Sequence, residues 1–254
     1  MINLSKVAFH FLALVACLPI AGLALADSSD FAQCRQFFAG DAPPVIQQPD
    51  MKPRALCFDG FAVLHSGKSH TPIYVAERLN RTTFEKMVLR SNHFYEEARL
   101  PRSERATLAD YSGSGFDRGH MAPAADMDTD QAMAQSFSLG NMVPQAPNNN
   151  RNAWARIEKD TRKYVMRARG NIFVITGPVF DEHHETIGYS KVWVPRYLFK
   201  LVHDPATHRA WAFWIENTDE ASAGKPISYH ELVRRTGIDF IPNFIEDQLL
   251  VFQR

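Results

Sequence analysis

The chain has 254 residues, 45% apolar and 11% aromatic, and its 28 Lys plus Arg are balanced by 28 Asp plus Glu. That excludes a disordered chain, which couples low hydrophobicity to high net charge, and a protein that holds nucleic acid by bulk positive charge alone. Thirteen glycines, fifteen prolines and a single long apolar run exclude collagen, a coiled coil and a polytopic membrane protein.

Before Asp27 the one charged residue is Lys6, and it is followed by twenty mostly apolar residues ending Ala24-Leu25-Ala26. A basic start, an apolar middle and a small-x-small end predict a signal peptide over residues 1–26. The mature protein is then exported, periplasmic or secreted, without stable membrane association. A retained anchor and lipid attachment at Cys17, within Leu14-Val15-Ala16-Cys17, are the alternatives. Cleavage would leave a formal charge of −1 and two cysteines, Cys34 and Cys57. An even pair in an exported chain reads as a disulfide.

Residues 27–56 carry turn punctuation (Gly40 to Pro44, Gln48 to Asp50) and read as an irregular arm before a single domain over 57–254. Alternating apolar segments predict strands over Leu56 to Leu64 and Thr71 to Leu79. Arg90 to Asp110 is polar, a loop or short helix. Asp128 or Thr129 caps a short helix through Met133, and Ser138 to Asn150, with two prolines and four asparagines, has a loop composition. Asn150 to Arg169 is the clearest helix, with Trp154, Ile157, Thr161, Tyr164 and Val165 along one side. Strands follow over 171–180, 191–202 and 208–216, the last with Trp211, Phe213 and Trp214 read as core, and then a helix over Ser228 to Thr236. Strands and helices mix without regular alternation, so the fold class is α+β, a central mixed or antiparallel sheet flanked by helices.

Two segments carry chemistry. In Asp117-Arg118-Gly119-His120-Met121-Ala122-Pro123, an arginine can hold phosphate with two parallel charge-assisted hydrogen bonds. A nearby histidine can take a proton from water, and Gly119 allows close approach. Downstream, Glu158 and Arg162 stand four apart on one helix face, and Asn150 sits at the helix start, where capping is the plainer account.

Together these segments resemble the DNA/RNA non-specific endonuclease family, which has a ββα-metal active site. The likeness comprises D-R-G-H-x-A-P at 117–123, SLGNMVPQ at 138–145, N-x-x-x-W-x-x-x-E-x-x-x-R from Asn150 to Arg162, and Thr176-Gly177-Pro178-Val179. The resemblance implies His120 as general base and Asn150 as the direct protein ligand of Mg²⁺, with Mn²⁺ as a substitute. Of three consecutive asparagines, the eight-residue spacing to Glu158 selects Asn150. Glu158, about 12 Å further along the helix, would orient water around the ion. Arg118 and Arg162 look like the phosphate-side arginines, with one more upstream, where Arg90 is favoured over Arg78 and Arg81. The implied reaction is hydrolysis of DNA and RNA without sequence preference, leaving 5′-phosphate ends; a homodimer stays open.

Charge sorting agrees. Residues 151–170 hold seven Lys/Arg against two Asp/Glu, and residues 181–254 hold eight against eleven. The basic stretch, with Arg151, Arg156 and Arg162, reads as a backbone-binding face whose affinity falls with salt. Two lookalikes do not read as metal sites. Asp126-x-Asp128-x-Asp130 lacks the glycine and the final glutamate of a calcium loop, and Asp181 to Glu185 reads as an exposed hairpin tip. Rival readings are a non-catalytic nucleic-acid-binding module and a phosphodiesterase for small diesters on the same fold.

Overall fold

Strands apolar on both sides need a covering layer on each, and this chain supplies two different ones. The computed structural model describes residues 31–86, 88–242 and 244; the expected signal peptide and Cys17 lie outside these residues. In chain order the strands are β1 (Pro53–Cys57), β2 (Ala62–Ser66), β3 (Thr71–Leu79), β4 (Asp117–His120), β5 (Met142–Gln145), β6 (Ile172–Val179), β7 (Thr186–Ile187), β8 (Val192–Trp193), β9 (Tyr197–Asp204), β10 (Arg209–Glu216) and β11 (Ile227–Ser228). The helices are α1 (Leu108–Tyr111), α2 (Asp130–Ser136), α3 (Ala155–Val165) and α4 (Tyr229–Thr236). Seven strands form one antiparallel sheet in the order β1-β2-β3-β6-β9-β10-β11, while β4 pairs with β5 and β7 with β8. The fold is the expected α+β arrangement, and the sheet is antiparallel throughout.

Alternation along the strands sorts the two faces. Val63, Val75, Leu198 and Ile215 pack with Met121, Trp154 and Ile157, placing the β4–β5 ribbon and α3 on one face. Ala62, Leu64, Tyr74, Ala76, Ile175, Leu201 and Ala212 meet Phe31, Phe37, Phe38 and Ile46 from the N-terminal segment, and Tyr229 and Leu232 from α4, on the other. Burying each phenylalanine contributes about 2–3 kcal/mol relative to leaving it exposed. The segment read as an arm is thus part of the core, and it is tied to β1 by the Cys34–Cys57 disulfide. A cross-link spanning a sequence separation of 23 stabilises by roughly 3 kcal/mol through the unfolded chain.

Several element boundaries differ from the sequence expectation. Leu56 to Leu64 is not one strand but the end of β1, a turn and the start of β2. Asp59-Gly60 is a turn dipeptide, closed by Phe58 N–H donating to the Phe61 carbonyl at 2.9 Å and by stacking of the two rings at 4.4 Å. The loop expected over Ser138 to Asn150 contains β5, which pairs Met142 with His120 and Gln145 with Asp117. The strand expected over 191–202 splits into β8 and β9, with Pro195 between them. Thr129 caps α2 as expected, accepting from Ala132 N–H at 3.1 Å. The helix face of Trp154, Ile157, Thr161 and Val165 is buried, whereas Trp211, Phe213 and Trp214 are only partly buried.

Candidate active site

The β4–β5 ribbon and α3 form a ββα unit standing on the sheet. Their junction is a π-helical turn over Asn149–Trp154, and it brings the start of α3 against β4. At Gly119 an added Cβ would fall 2.1 Å from Gln145 Oε1 and 2.6 Å from its Cβ, so glycine there lets the buried Gln145 side chain lie over β4.

A cleft of about 350 Å³ opens there, lined by Arg90, Asp117, Arg118, His120, Asn150 and Glu158 among others. Two phenylalanines organise its cations. The Arg118 guanidinium lies 4.2 Å from the Phe94 ring centroid and that of Arg90 5.0 Å from Phe137, each a cation–π contact. The His120 ring meets Phe137 edge-on at 4.9 Å and Phe94 at 5.8 Å. Its Nε2 is buried and has no hydrogen-bond partner among the described residues. Burial, with the Arg90 charge adding to it, pushes the imidazole down to about 3, so His120 is neutral at ordinary pH.

The three asparagines separate cleanly. Asn148 takes Asp219 Oδ1 through its backbone N–H at 2.7 Å and the Asp219 carbonyl through its side chain. Asn149 is buried, accepting from Gln145 Nε2 at 2.9 Å and donating to the Glu216 carbonyl at 2.7 Å. Asn150 alone lines the cleft; its Nδ2 donates to Asp117 Oδ2 at 3.0 Å, which leaves its oxygen as the atom to offer a ligand. Asp117 is itself gripped by Arg151, at 2.9 and 2.6 Å.

Glu158 closes the cleft floor. Enclosure pushes its carboxyl up to about 7, opposed by the Lys200 charge and reinforced by Asp126. Behind it lies a buried set of charges that the sequence reading did not single out. Lys200 Nζ donates to Thr176 Oγ1 at 2.7 Å, contacts the Met121 carbonyl at 3.5 Å and sits 5.5 Å from the Trp154 ring centroid. Neither carboxyl oxygen of Glu77 has a hydrogen-bond partner among the described residues. Burial first, then Asp126, raises that carboxyl well above its ordinary range. A lone charge inside an apolar strand, as in Tyr197-Leu198-Phe199-Lys200-Leu201-Val202, was the available signal.

Arg162 departs from its expected place. Its Nη1 donates to the buried Asp126 carboxylate at 2.9 Å, and it does not line the cleft. The pairing of a fully desolvated aspartate takes precedence, because an unpaired buried charge costs several kcal/mol. Asp126 therefore belongs to this ion pair rather than to a calcium loop or a helix cap. Arg90 does line the cleft; Arg78 and Arg81 do not. Arg156 is exposed and 4.0 Å from Asp160. Among the described residues no group of three or more His, Cys, Asp and Glu is placed to hold a metal; within Asp181 to Glu185, His184 stacks on Trp193 at 3.6 Å instead.

A ββα unit that gathers a neutral histidine, an asparagine oxygen, an enclosed glutamate and two arginines defines the class of ββα-metal nucleases. The fold agrees with that of a chain from the crystal structure of the EndoG/EndoGI complex, at a TM-score of 0.66 and 23% identity over 73% of this chain and 84% of that one. Residues 45–245 match the model of the DNA/RNA non-specific endonuclease family. Bovine mitochondrial endonuclease G is 32% identical over 80% of this chain and 72% of its own length. A nuclease of Nostoc is 33% identical over 72% and 71%, and the human endonuclease G match spans 57% of that protein. The chain belongs to the DNA/RNA non-specific endonuclease family and is a nuclease, a hydrolase of nucleic-acid phosphodiesters.

Proposed function

We propose that this protein is an exported endonuclease that cuts DNA and RNA without sequence preference, depends on Mg²⁺ and leaves 5′-phosphate ends. The observation that carries the reading is the convergence of His120, Asn150, Glu158, Arg90 and Arg118, from three separate chain segments, on one cleft.

His120 is the general base. Held neutral, and made more basic once the negative phosphate offsets the Arg90 charge, it takes a proton from water attacking phosphorus; the bond to the 3′ oxygen breaks, and that oxygen leaves with a proton from solvent. Arg90 and Arg118 bind the phosphate oxygens, their planes held by Phe137 and Phe94. The donor set suits a hard divalent cation that takes oxygen ligands and keeps most of its water: the Asn150 side-chain oxygen would hold it, with the Glu158 carboxylate accepting hydrogen bonds from its hydration shell. When bound, such an ion neutralises the charge that develops on phosphate in the transition state. Asp117 orients Asn150 through its Nδ2, and Arg151 at the cleft rim holds Asp117. Arg162 acts from behind, through Asp126 and the charge environment of Glu158. The roles given to Arg90, Arg118, Asn150 and Glu158 all address phosphate or the ion, and contacts of that kind carry no sequence information, which supports cleavage of either polymer with little sequence preference. The Cys34–Cys57 disulfide and the N-terminal leader pattern support export; among the described residues no helix is long and apolar enough to cross a membrane.

The test is incubation of wild-type and His120→Ala protein with plasmid DNA, total RNA and a small aryl phosphodiester, each with Mg²⁺ or chelator. Cleavage of both polymers by the wild type with Mg²⁺ is expected. Binding without cleavage supports the non-catalytic module instead, and turnover of the small diester alone supports the rival phosphodiesterase.

A further inference from the structure

The basic stretch that follows Asn150 is not uniformly available to a ligand. Arg151 is held by Asp117, Arg156 and Lys163 share Asp160, and Arg162 is turned inward to Asp126. Arg167 and Arg169, just past the end of α3, are exposed and make no ion pair among the described residues.

A second segment comes alongside them. Asn80 Nδ2 donates to Asn171 Oδ1 at 3.0 Å, and Phe84 packs on the cluster that holds Val165, together with Tyr164 and Ala168. The chain then turns back toward the cleft. Val88 packs on the cluster that holds Ile157, and Arg90 lines the cleft with Glu158. Residues 81–86 and 88–90 therefore run beside α3 in the opposite direction. They carry Arg81 and Lys86, both exposed and without an ion pair among the described residues, and one exposed acid, Glu85. Four cations from two segments thus gather toward the far end of α3, away from the catalytic groups.

We propose that Arg81, Lys86, Arg167 and Arg169 form a second phosphate-binding site that engages the nucleic-acid backbone outside the catalytic cleft. The proposal rests on the polynucleotide reading of that cleft. From Glu158 to Arg167 is nine residues, about 13 Å at helical rise. One strand of a duplex advances about 3.4 Å per phosphate, so the site meets the backbone about four nucleotides from the scissile bond. It confers a preference for polymers over short diesters and takes no part in bond cleavage.

The experiment reads binding separately from catalysis. Anisotropy of a labelled 20-base-pair duplex in chelator gives the slope of log Kd against log salt concentration, for wild type, for R81Q/R167Q/R169Q and for R81K/R167K/R169K. Each lost phosphate contact removes about 0.9 from that slope. The glutamine variant is expected to lower it by about 2.7 and to weaken binding at least about tenfold at 50 mM salt, while the lysine variant keeps it. Turnover of a small aryl phosphodiester with Mg²⁺ stays within about twofold of wild type in both. An unchanged slope in the glutamine variant, or no duplex binding by the wild type, overturns the site. A wild type that binds duplex but cleaves nothing would instead sink the catalytic reading, with the slopes still deciding this one.

Discussion

Across β3, β6 and β9, one face of the sheet carries Glu77, Thr176 and Lys200 where the other carries Ala76, Ile175 and Leu201. The first face lies under the cleft, and all six side chains are buried. Burying charge is unfavourable even when it is paired, so a chain built only for stability would make both faces alike. The apolar face, closed by the N-terminal segment, the disulfide and α4, supplies the stability that the polar face gives up. What the polar face gains is a low-dielectric floor on which Glu158 and His120 are held away from their ordinary protonation behaviour.

This division can be broken by substitution on either side. His120→Ala should reduce turnover of DNA by about 10²–10⁴-fold while moving the melting temperature little; a comparable loss of stability would show that the two roles are not separated. On the other face, Phe38→Ala should cost about 3–5 kcal/mol, read by denaturant unfolding, with activity per folded molecule retained at low temperature. Reduction of Cys34–Cys57 should cost roughly 3 kcal/mol, and an unchanged melting temperature under reductant would contradict the part assigned to that cross-link.

The smallest effect is one of pH. The Glu158 carboxyl is raised in the folded state, so its contribution to stability is fully present below the ordinary carboxylate range and is lost as pH rises through about 7. The metal-free protein should therefore lose melting temperature across that window, and Glu158→Gln should flatten the loss. Buried His65, pushed down to about 4 by burial, acts with the opposite sign: its contribution is present above about 6.5 and is lost as pH falls toward 4. A metal-free stability curve indifferent to Glu158→Gln would remove the account of the enclosed carboxyl.

Much of this was legible in the residues, and unevenly so. The long strands β3 and β6 show as nearly continuous apolar runs, because both of their faces are buried, while β10 and the helices α3 and α4 show in apolar periodicity, because each buries one side. The β1–β2 turn and β5 do not, since Asp59-Gly60 interrupts an apolar run and β5 is four residues containing a proline. Motif likeness singled out His120, Asn150 and Glu158. It could not show that Asn148 and Asn149 are occupied by Asp219, Gln145 and Glu216, and it misplaced Arg162. That side chain answers to Asp126, 36 positions away in sequence, and no local pattern encodes such a partner. Lys200 was visible as a lone ionisable residue in the apolar run of β9, whereas Glu77 is followed directly by Arg78 in β3; only the convergence of the two buried groups beneath Glu158 gives them meaning.

The most direct test of the central claim is cleavage of supercoiled plasmid by wild type and Asn150→Ala as Mg²⁺ is titrated, with the chemistry of the product ends determined. The account predicts Mg²⁺-dependent nicking by the wild type, products that ligate without prior phosphorylation, and at least about a tenfold higher Mg²⁺ requirement in the variant. Cleavage that persists in chelator, or a variant with the wild-type Mg²⁺ dependence, would contradict it.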